Sequence, residues 1–171
     1  MATPEQFEEF VAARFPALVR SARLLVADPS LAEDLVQDAL MRCVPVWSRI
    51  EGDPEGYVRT VMVRTNISRW RRRRRVMESP TEVLPETATW DPEVAEQDAL
   101  RRALGELGPK QRAVVVLRHV EGRAVREVAQ MMGCSVGTVK SQSSAALARL
   151  RVLLAENEVP ASAPPAASLI P

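Results

Sequence analysis

The fifteen residues 127–141, Glu127-Val128-Ala129-Gln130-Met131-Met132-Gly133-Cys134-Ser135-Val136-Gly137-Thr138-Val139-Lys140-Ser141, constrain this chain most. Ala129 puts a small side chain where two helices must cross closely. Gly133 follows four residues later, where the chain must turn and a left-handed backbone is cheap only for glycine. Val139 comes six residues after that and should face back toward Val125 and Val128. Ser135 is placed to cap the second helix by accepting a bond from its first free N–H groups. The pattern predicts a helix-turn-helix whose second helix enters a major groove by its N-terminal end. That implies duplex DNA, but not which kind of DNA-binding protein.

Composition narrows the fold class. The 171 residues are 46% hydrophobic, with seven glycines and only three Trp, one Tyr and three Phe, a balance that favours helices over sheets. No stretch approaches the roughly 20 apolar residues of a membrane span. The acidic N-terminus does not resemble a secretory signal. Cys43 and Cys134 lie far apart without a CxxC partner. The pattern predicts neither a disulfide framework nor a zinc site, and a reducing cytoplasm is the expectation.

The net charge of +1 conceals strong segregation. Residues 1–58 carry 5 basic and 10 acidic groups, and residues 59–77 carry 8 basic and none acidic. Residues 78–98 carry 7 acidic and no basic groups, and residues 99–154 carry 10 basic and 3 acidic. Two basic blocks flank an acidic one, which points to polyanion contacts at two places. All the cations but Lys110 and Lys140 are arginine, a bias that suits forked contacts to phosphate.

Periodicity divides the chain into two helical blocks. Thr3-Pro4-Glu5-Gln6 is a capping box with proline at the first helical position. Pro16 should break or kink the helix that follows, and Asp28-Pro29 should end it. Ser30-Leu31-Ala32-Glu33 reads as a second capping box. From it runs an apolar stripe at Leu31, Leu35, Ala39, Cys43 and Trp47, four apart. Pro45 should kink this helix near Met41. Residues 48–52 read as a loop, and Asp53-Pro54 opens a third helix reaching about Arg75. Leu31, Leu35, Ala39, Trp47, Val58, Val61 and Met62 are the expected core of a domain over residues 4–77. Residues 78–96 hold Pro80, Pro85 and Pro92 with no helical period, so a flexible acidic linker is expected. Residues 97–154 form the second domain, with Gly108-Pro109 and Gly122 punctuating helices. The last helix runs through Val139, Leu147, Leu150 and Leu153. Residues 155–171, rich in Ala and Pro, should form a disordered tail. The expected class is all-α, with two small helical domains.

Arg71, Arg72, Arg73, Arg74 and Arg75 circle a helix rather than line one face. Such a block neutralises phosphates without reading sequence; its plainer reading is a solvated helix end where cations also suit the dipole. Trp47 belongs to the apolar stripe and is read as core. Tyr57 and Trp70 stand open between base stacking and surface packing. Catalysis finds little support. His119, the one histidine, sits in an apolar helix. No nucleophile has a triad, no glycine loop cradles phosphate, and no metal-ligand spacing occurs. Neither an enzyme nor a cofactor is expected.

Taken in order, these parts resemble the extracytoplasmic-function (ECF) sigma factors, group 4 of the sigma-70 family of bacterial RNA polymerase. Ala32-Glu33-Asp34-Leu35-Val36-Gln37-Asp38 is similar to their AEDLVQE core-binding helix, region 2.2. Residues 53–75 resemble regions 2.3 and 2.4. Leu107-Gly108-Pro109-Lys110-Gln111-Arg112 resembles the LPxxxR opening of region 4, and residues 127–141 resemble EIAxxLGCSVGTVKS. The resemblance covers about residues 5–154.

It implies a protein that directs core polymerase to promoters and helps open the −10 region, the chemistry staying with the polymerase. A sigma-2-like bundle would dock on the β′ clamp helices through Asp34, Gln37 and Asp38, an acidic face against a basic coiled coil. The loop 49–56, beginning at Arg49, would take a flipped base of the −10 element, with Tyr57, Arg59, Asn66 and Arg69 beside it and Arg71, Arg72 and Arg73 on phosphate. A sigma-4-like domain near the β flap would read the −35 duplex through Arg118, Lys140, Ser141, Gln142, Ser144 and Arg149. An anti-sigma factor is the implied regulator, and no membrane contact of the chain's own is implied. The last helix departs from the family pattern: after Ser141 the family carries further arginines, whereas here Gln142-Ser143-Ser144-Ala145 follows. Gln142 can still bond adenine edges, but phosphate anchoring is thinner.

Two other readings compete on the residues alone. A free-standing helix-turn-helix regulator would bind palindromic duplex as a dimer; it leaves the acidic helix and linker unexplained, and no heptads suggest dimerisation. A nucleic-acid-processing enzyme lacks a catalytic inventory.

Overall fold

In the computed structural model, residues 3–76 and 92–158 are described, and all their regular elements are helical. The expected linker falls outside them for residues 78–91, and the expected tail for residues 159–171.

Helix α1 spans Pro4–Leu25 and opens on the Thr3–Gln6 capping box. Leu18, Val19, Ala22 and Leu25 form its buried side. Contrary to expectation, Pro16 neither ends nor divides the helix. It lies on the exposed side, where water can satisfy the carbonyl that loses its donor.

The predicted Ser30–Glu33 capping box does not form. Asp28 instead accepts from the Ser30 backbone at 2.9 Å and hydroxyl at 2.8 Å, capping a 3-10 turn over Pro29–Leu31. With its hydroxyl committed to Asp28, Ser30 does not cap helix α2, Ala32–Cys43, which starts without a side-chain cap. Pro45 also acts differently than expected. Helix α2 runs without interruption to Cys43, and the chain then tightens into a 3-10 helix over Val44–Arg49 with Pro45 in its first turn. A proline there gives up no interior bond. The expected loop therefore starts after Arg49. Trp47 is buried as predicted, with Phe7 and Phe10 ring centroids each 4.9 Å away.

Helix α3, Pro54–Val76, is the longest in this half. Val58, Met62 and Val63 are buried against α1 and α2, while Val61 is only half-buried. In the second half, α4 spans Pro92–Gly105, so helix begins inside the stretch expected as linker. Pro92 at its first position is compatible with a helix start. Helix α5, Pro109–Val115, does not continue regularly to Val120. It widens into a π-turn over Val116–Val120, with the Glu121 N–H bonded to the Val116 carbonyl at 2.9 Å. Gly122, at φ +68°, redirects the chain.

Helices α6, Val125–Met132, and α7, Val136–Glu158, follow. Gly133 closes α6 in the left-handed conformation, φ 63° and ψ 41°, and the Cys134 N–H bonds back to Ala129. Ser135 accepts from the Thr138 backbone at 3.0 Å. Val128, Ala129 and Val139 are buried together with Ala146 and Leu150.

The two halves pack on each other. Helix α3 meets α5 and α6, and α1 meets α4 and α5. Arg112 ties the seam. Its guanidinium donates to the carbonyls of Leu104, Gly105 and Leu107, and across the seam to Leu25 at 3.0 Å. Asn66 donates to the same Leu25 carbonyl at 2.8 Å. Burial draws the Arg112 pKa down to about 10, against the opposing pull of Glu106. Saturating its donors is what makes a guanidinium tolerable there.

Candidate nucleic-acid interface

Three polar residues predicted to meet a protein partner share the solvent side of α2. Its buried positions Leu35, Val36, Ala39 and Leu40 turn Asp34, Gln37 and Asp38 outward. Neither carboxylate is free. Arg69 of α3 bonds Asp34 at 2.8 Å and Asp38 at 3.0 Å, and Arg42 bonds Asp38 at 3.1 Å. Partial burial opposes ionisation of Asp38, but the Arg42 and Arg69 guanidinium groups outweigh it and hold the carboxyl below its usual range. A residue assigned to DNA thus neutralises two assigned to protein.

Helix α3 carries most of the predicted −10 contacts, and the fold separates them. Tyr57 is 41% exposed and Trp70 39%, with the Arg74 guanidinium 5.0 Å from the Trp70 ring centroid. Arg71, Arg72, Arg73, Arg74 and Arg75 are all exposed. Arg49 is exposed beyond α2 and donates to the Pro45 carbonyl at 3.4 Å. Asn66, in contrast, is 6% exposed and spent on Leu25. Arg59 is withdrawn too: it pairs with Glu55 at 2.8 Å and with Glu121 of the other half at 2.5 Å.

On the helix-turn-helix side, Lys140, Ser141, Ser144 and Arg149 are exposed on α7. Gln142 is half-buried on the wall of a cleft of about 270 Å³ between α3 and α7. Arg64 and Arg71 stand on the opposite wall, with Val114, Cys134 and Val139 among its lining. Arg118 turns inward, donating to the Arg123 carbonyl at 2.6 Å. His119 contacts the Ser143 hydroxyl at 3.1 Å. The residues that sequence reasoning missed are Ser21, Arg64, Glu121 and Arg123. Each makes polar contacts that join or flank the seam between the halves. The one signal for Glu121 was its rarity, as one of three acidic residues in the basic segment 99–154.

A helical bundle with an acidic face and a cationic, aromatic-bearing helix, joined to a helix-turn-helix, defines a two-part DNA-binding protein. Residues 10–76 match Sigma-70 region 2, and residues 97–150 match Sigma-70, region 4. The RNA polymerase sigma-E factor of Streptomyces coelicolor is 46% identical over 92% of this chain and 91% of its own length. The ECF RNA polymerase sigma factor SigM of Mycobacterium tuberculosis is 30% identical over 86% of this chain and 76% of its own. Among solved structures, the sigma factor RpoE of Bartonella quintana, in complex with the anti-sigma factor NepR, superposes with a TM-score of 0.67. It is 28% identical and covers 88% of this chain and 98% of that one. The chain belongs to the ECF sigma factors of the sigma-70 family. It is a non-enzymatic subunit that directs RNA polymerase in transcription initiation, which sets aside both the free-standing regulator and the enzyme.

Proposed function

We propose that Asp34, Gln37 and Asp38 form the docking face for core polymerase, against the basic β′ clamp helices. The observation that carries this is the exposure of Asp34 and Gln37, with the half-buried Asp38 beside them, on the side of α2 opposite Leu35 and Ala39. Complementary charge of this kind chiefly sets orientation and encounter rate. In the same reading the loop after Arg49 takes a flipped −10 base, with Tyr57 and Arg69 on the helix that follows, while Asn66, bonded to the Leu25 carbonyl, and Arg59, paired with Glu55 and Glu121, are spent inside the fold. Arg71, Arg72 and Arg73 follow the strand phosphates. Melting requires single strand to be bound better than duplex, and stacking plus a cationic groove supply that difference. Helix α7 reads the −35 duplex through Lys140, Ser141, Gln142, Ser144 and Arg149, near the β flap, while Arg118, turned onto the Arg123 carbonyl, is left out of that contact. The chain works in the cytoplasm under control of an anti-sigma factor, a regulator of the kind bound by the Bartonella relative. Among the described residues, no helix is long and apolar enough to cross a membrane.

The test is a core-polymerase pull-down with the double variant Asp34→Ala/Gln37→Ala. Both side chains are solvent-facing, so the variant should fold normally and lose core binding. Unchanged capture of core would overturn the assignment.

A further inference from the structure

The cleft between α3 and α7 has a chemistry that the docking and promoter contacts do not account for. Helix α3 lines it with Arg64, Ile67, Ser68 and Arg71, spaced i, i+3, i+4 and i+7 and so on one face. Helix α5 adds Lys110 and Val114, one turn apart. The left-handed turn at Gly133 carries the chain from Met132 round to Cys134, and Thr138, Val139 and Gln142 of α7 complete the lining. Four segments distant in sequence thus converge on a volume of about 270 Å³. That is close to the lower end of the roughly 300–1,000 Å³ of ordinary small-ligand sites.

The charge of the cleft is one-sided. Arg64, Arg71 and Lys110 bring three cations, and no Asp or Glu is among the lining residues. Elsewhere arginines are neutralised by carboxylates, Arg59 by Glu55 and Glu121, and Arg123 by Glu127. Arg71 and Lys110 are exposed and have no ion-pair partner among the described residues. Arg64 is anchored through its Nε and Nη2 to the Met131 and Gln130 carbonyls at 2.8 and 3.0 Å, bonds that fix the guanidinium and leave its charge uncompensated. A cation oriented in advance loses less freedom when an anion arrives.

The rest of the lining decides what kind of anion. Val114 and Val139 are fully buried, and Ile67 and Met132 half-buried. An inorganic ion alone would leave this apolar surface wet, whereas a flat ring system covers it. Ser68 and Thr138 offer hydroxyls, and Gln142 offers a paired donor and acceptor, a set suited to sugar hydroxyls and the edge of a base. One phosphate monoester carries about −1.5 to −2 charge, short of the three cations; a diphosphate matches them.

We propose that this cleft binds a nucleoside diphosphate, with its phosphates among Arg64, Arg71 and Lys110 and its base on the apolar lining beside Gln142. The inference stands apart from the promoter assignments of Arg71 and Gln142, since binding is read without DNA or polymerase.

The experiment is calorimetric titration of the full chain, in metal-free buffer at physiological salt, with ADP and GDP and separately with adenosine and pyrophosphate. At least one nucleotide should bind about tenfold or more tighter than either fragment, because both parts of the ligand contribute. Lys110→Glu reverses an exposed cation outside the proposed DNA and polymerase contacts. It should weaken nucleotide binding by about 10- to 100-fold, the loss of one charge-assisted contact. Arg151→Glu, an exposed reversal further along α7 and away from the cleft, should bind as the wild type does. Cys134 supplies a reading that needs no variant: a saturating nucleotide should slow its alkylation by iodoacetamide, followed by peptide mass. Absence of both binding and protection with ADP and GDP overturns the proposal. So does pyrophosphate bound as tightly as the nucleotides, which reduces the cleft to an anion trap, or full affinity in Lys110→Glu.

Discussion

Arg112 looks in the sequence like one more cation for DNA, yet it serves as a buried cross-brace, bonded to four carbonyls from two halves of the chain. Replacement by Ala should cost about 3–5 kcal/mol, because several buried carbonyls lose their donor at once; urea unfolding checks it. Arg112→Lys should recover only part, since an ammonium cannot reproduce the fork. The cysteines offer a second residue-scale prediction. Cys43 is fully buried, and burial raises its thiol to about 11. Cys134 is half-buried beside the cleft. Iodoacetamide at pH 8 should label Cys134 and spare Cys43 until the protein unfolds, read by peptide mass. Asp38 gives a pH dependence. A carboxyl depressed in the folded state stabilises above its unfolded value, about 3.9, and that contribution disappears as pH falls through the lower folded value. Asp38→Asn should therefore flatten the acid limb of the stability profile, measured by melting temperature. The roles of Asn66 and Arg112 were not legible in the sequence, because only the fold determines which carbonyl a polar side chain meets.

Among the elements, the helix-turn-helix was legible down to single atoms. Its turn is local: Gly133 must be left-handed and Ser135 must face the next free N–H, whatever the surroundings. Ser135→Ala should lose about 1 kcal/mol. Gly133→Ala should cost about 1–2 kcal/mol, because a Cβ is strained at that backbone. Thermal denaturation checks both. The elements misread were those decided by competition. Ser30 had two carboxylate neighbours and bonded Asp28 rather than forming a box with Glu33. Pro45 could have kinked α2, but the chain changed helix type instead. The π-turn after Val115 leaves no mark in an apolar run. For α3, replacing Arg71, Arg72, Arg73, Arg74 and Arg75 by Gln should flatten the salt dependence of promoter binding by the holoenzyme. Each lost phosphate contact should lower the log–log slope by about 0.7–0.9; an unchanged slope would reduce the block to a solvated helix end.

At the scale of the whole molecule, two helical halves and their order could be read from charge segregation and periodicity, because each half carries its own apolar stripe. Their closure could not. It depends on partners such as Arg59 and Glu121, 62 positions apart, and on a Leu25 carbonyl that serves both Asn66 and Arg112. That shared acceptor predicts cooperativity. Asn66→Ala should lower the stability of both halves together, seen as one melting transition moving to lower temperature with hydrogen exchange rising in α5 as well as α1. Two separated transitions in the wild-type protein would contradict it.

The triangle of Arg69, Asp34 and Asp38 carries a consequence for coupling. A phosphate that reaches α3 first must compete with two carboxylates for that guanidinium. A basic protein surface that seats itself on Asp34 and Asp38 displaces Arg69, and the next phosphate finds it vacant. Since the two ligands share one set of charges, each favours the other by the same free energy. On the proposed assignment of these residues, the neighbouring helices thus couple the two contacts whichever forms first, by electrostatic exchange without a moving part.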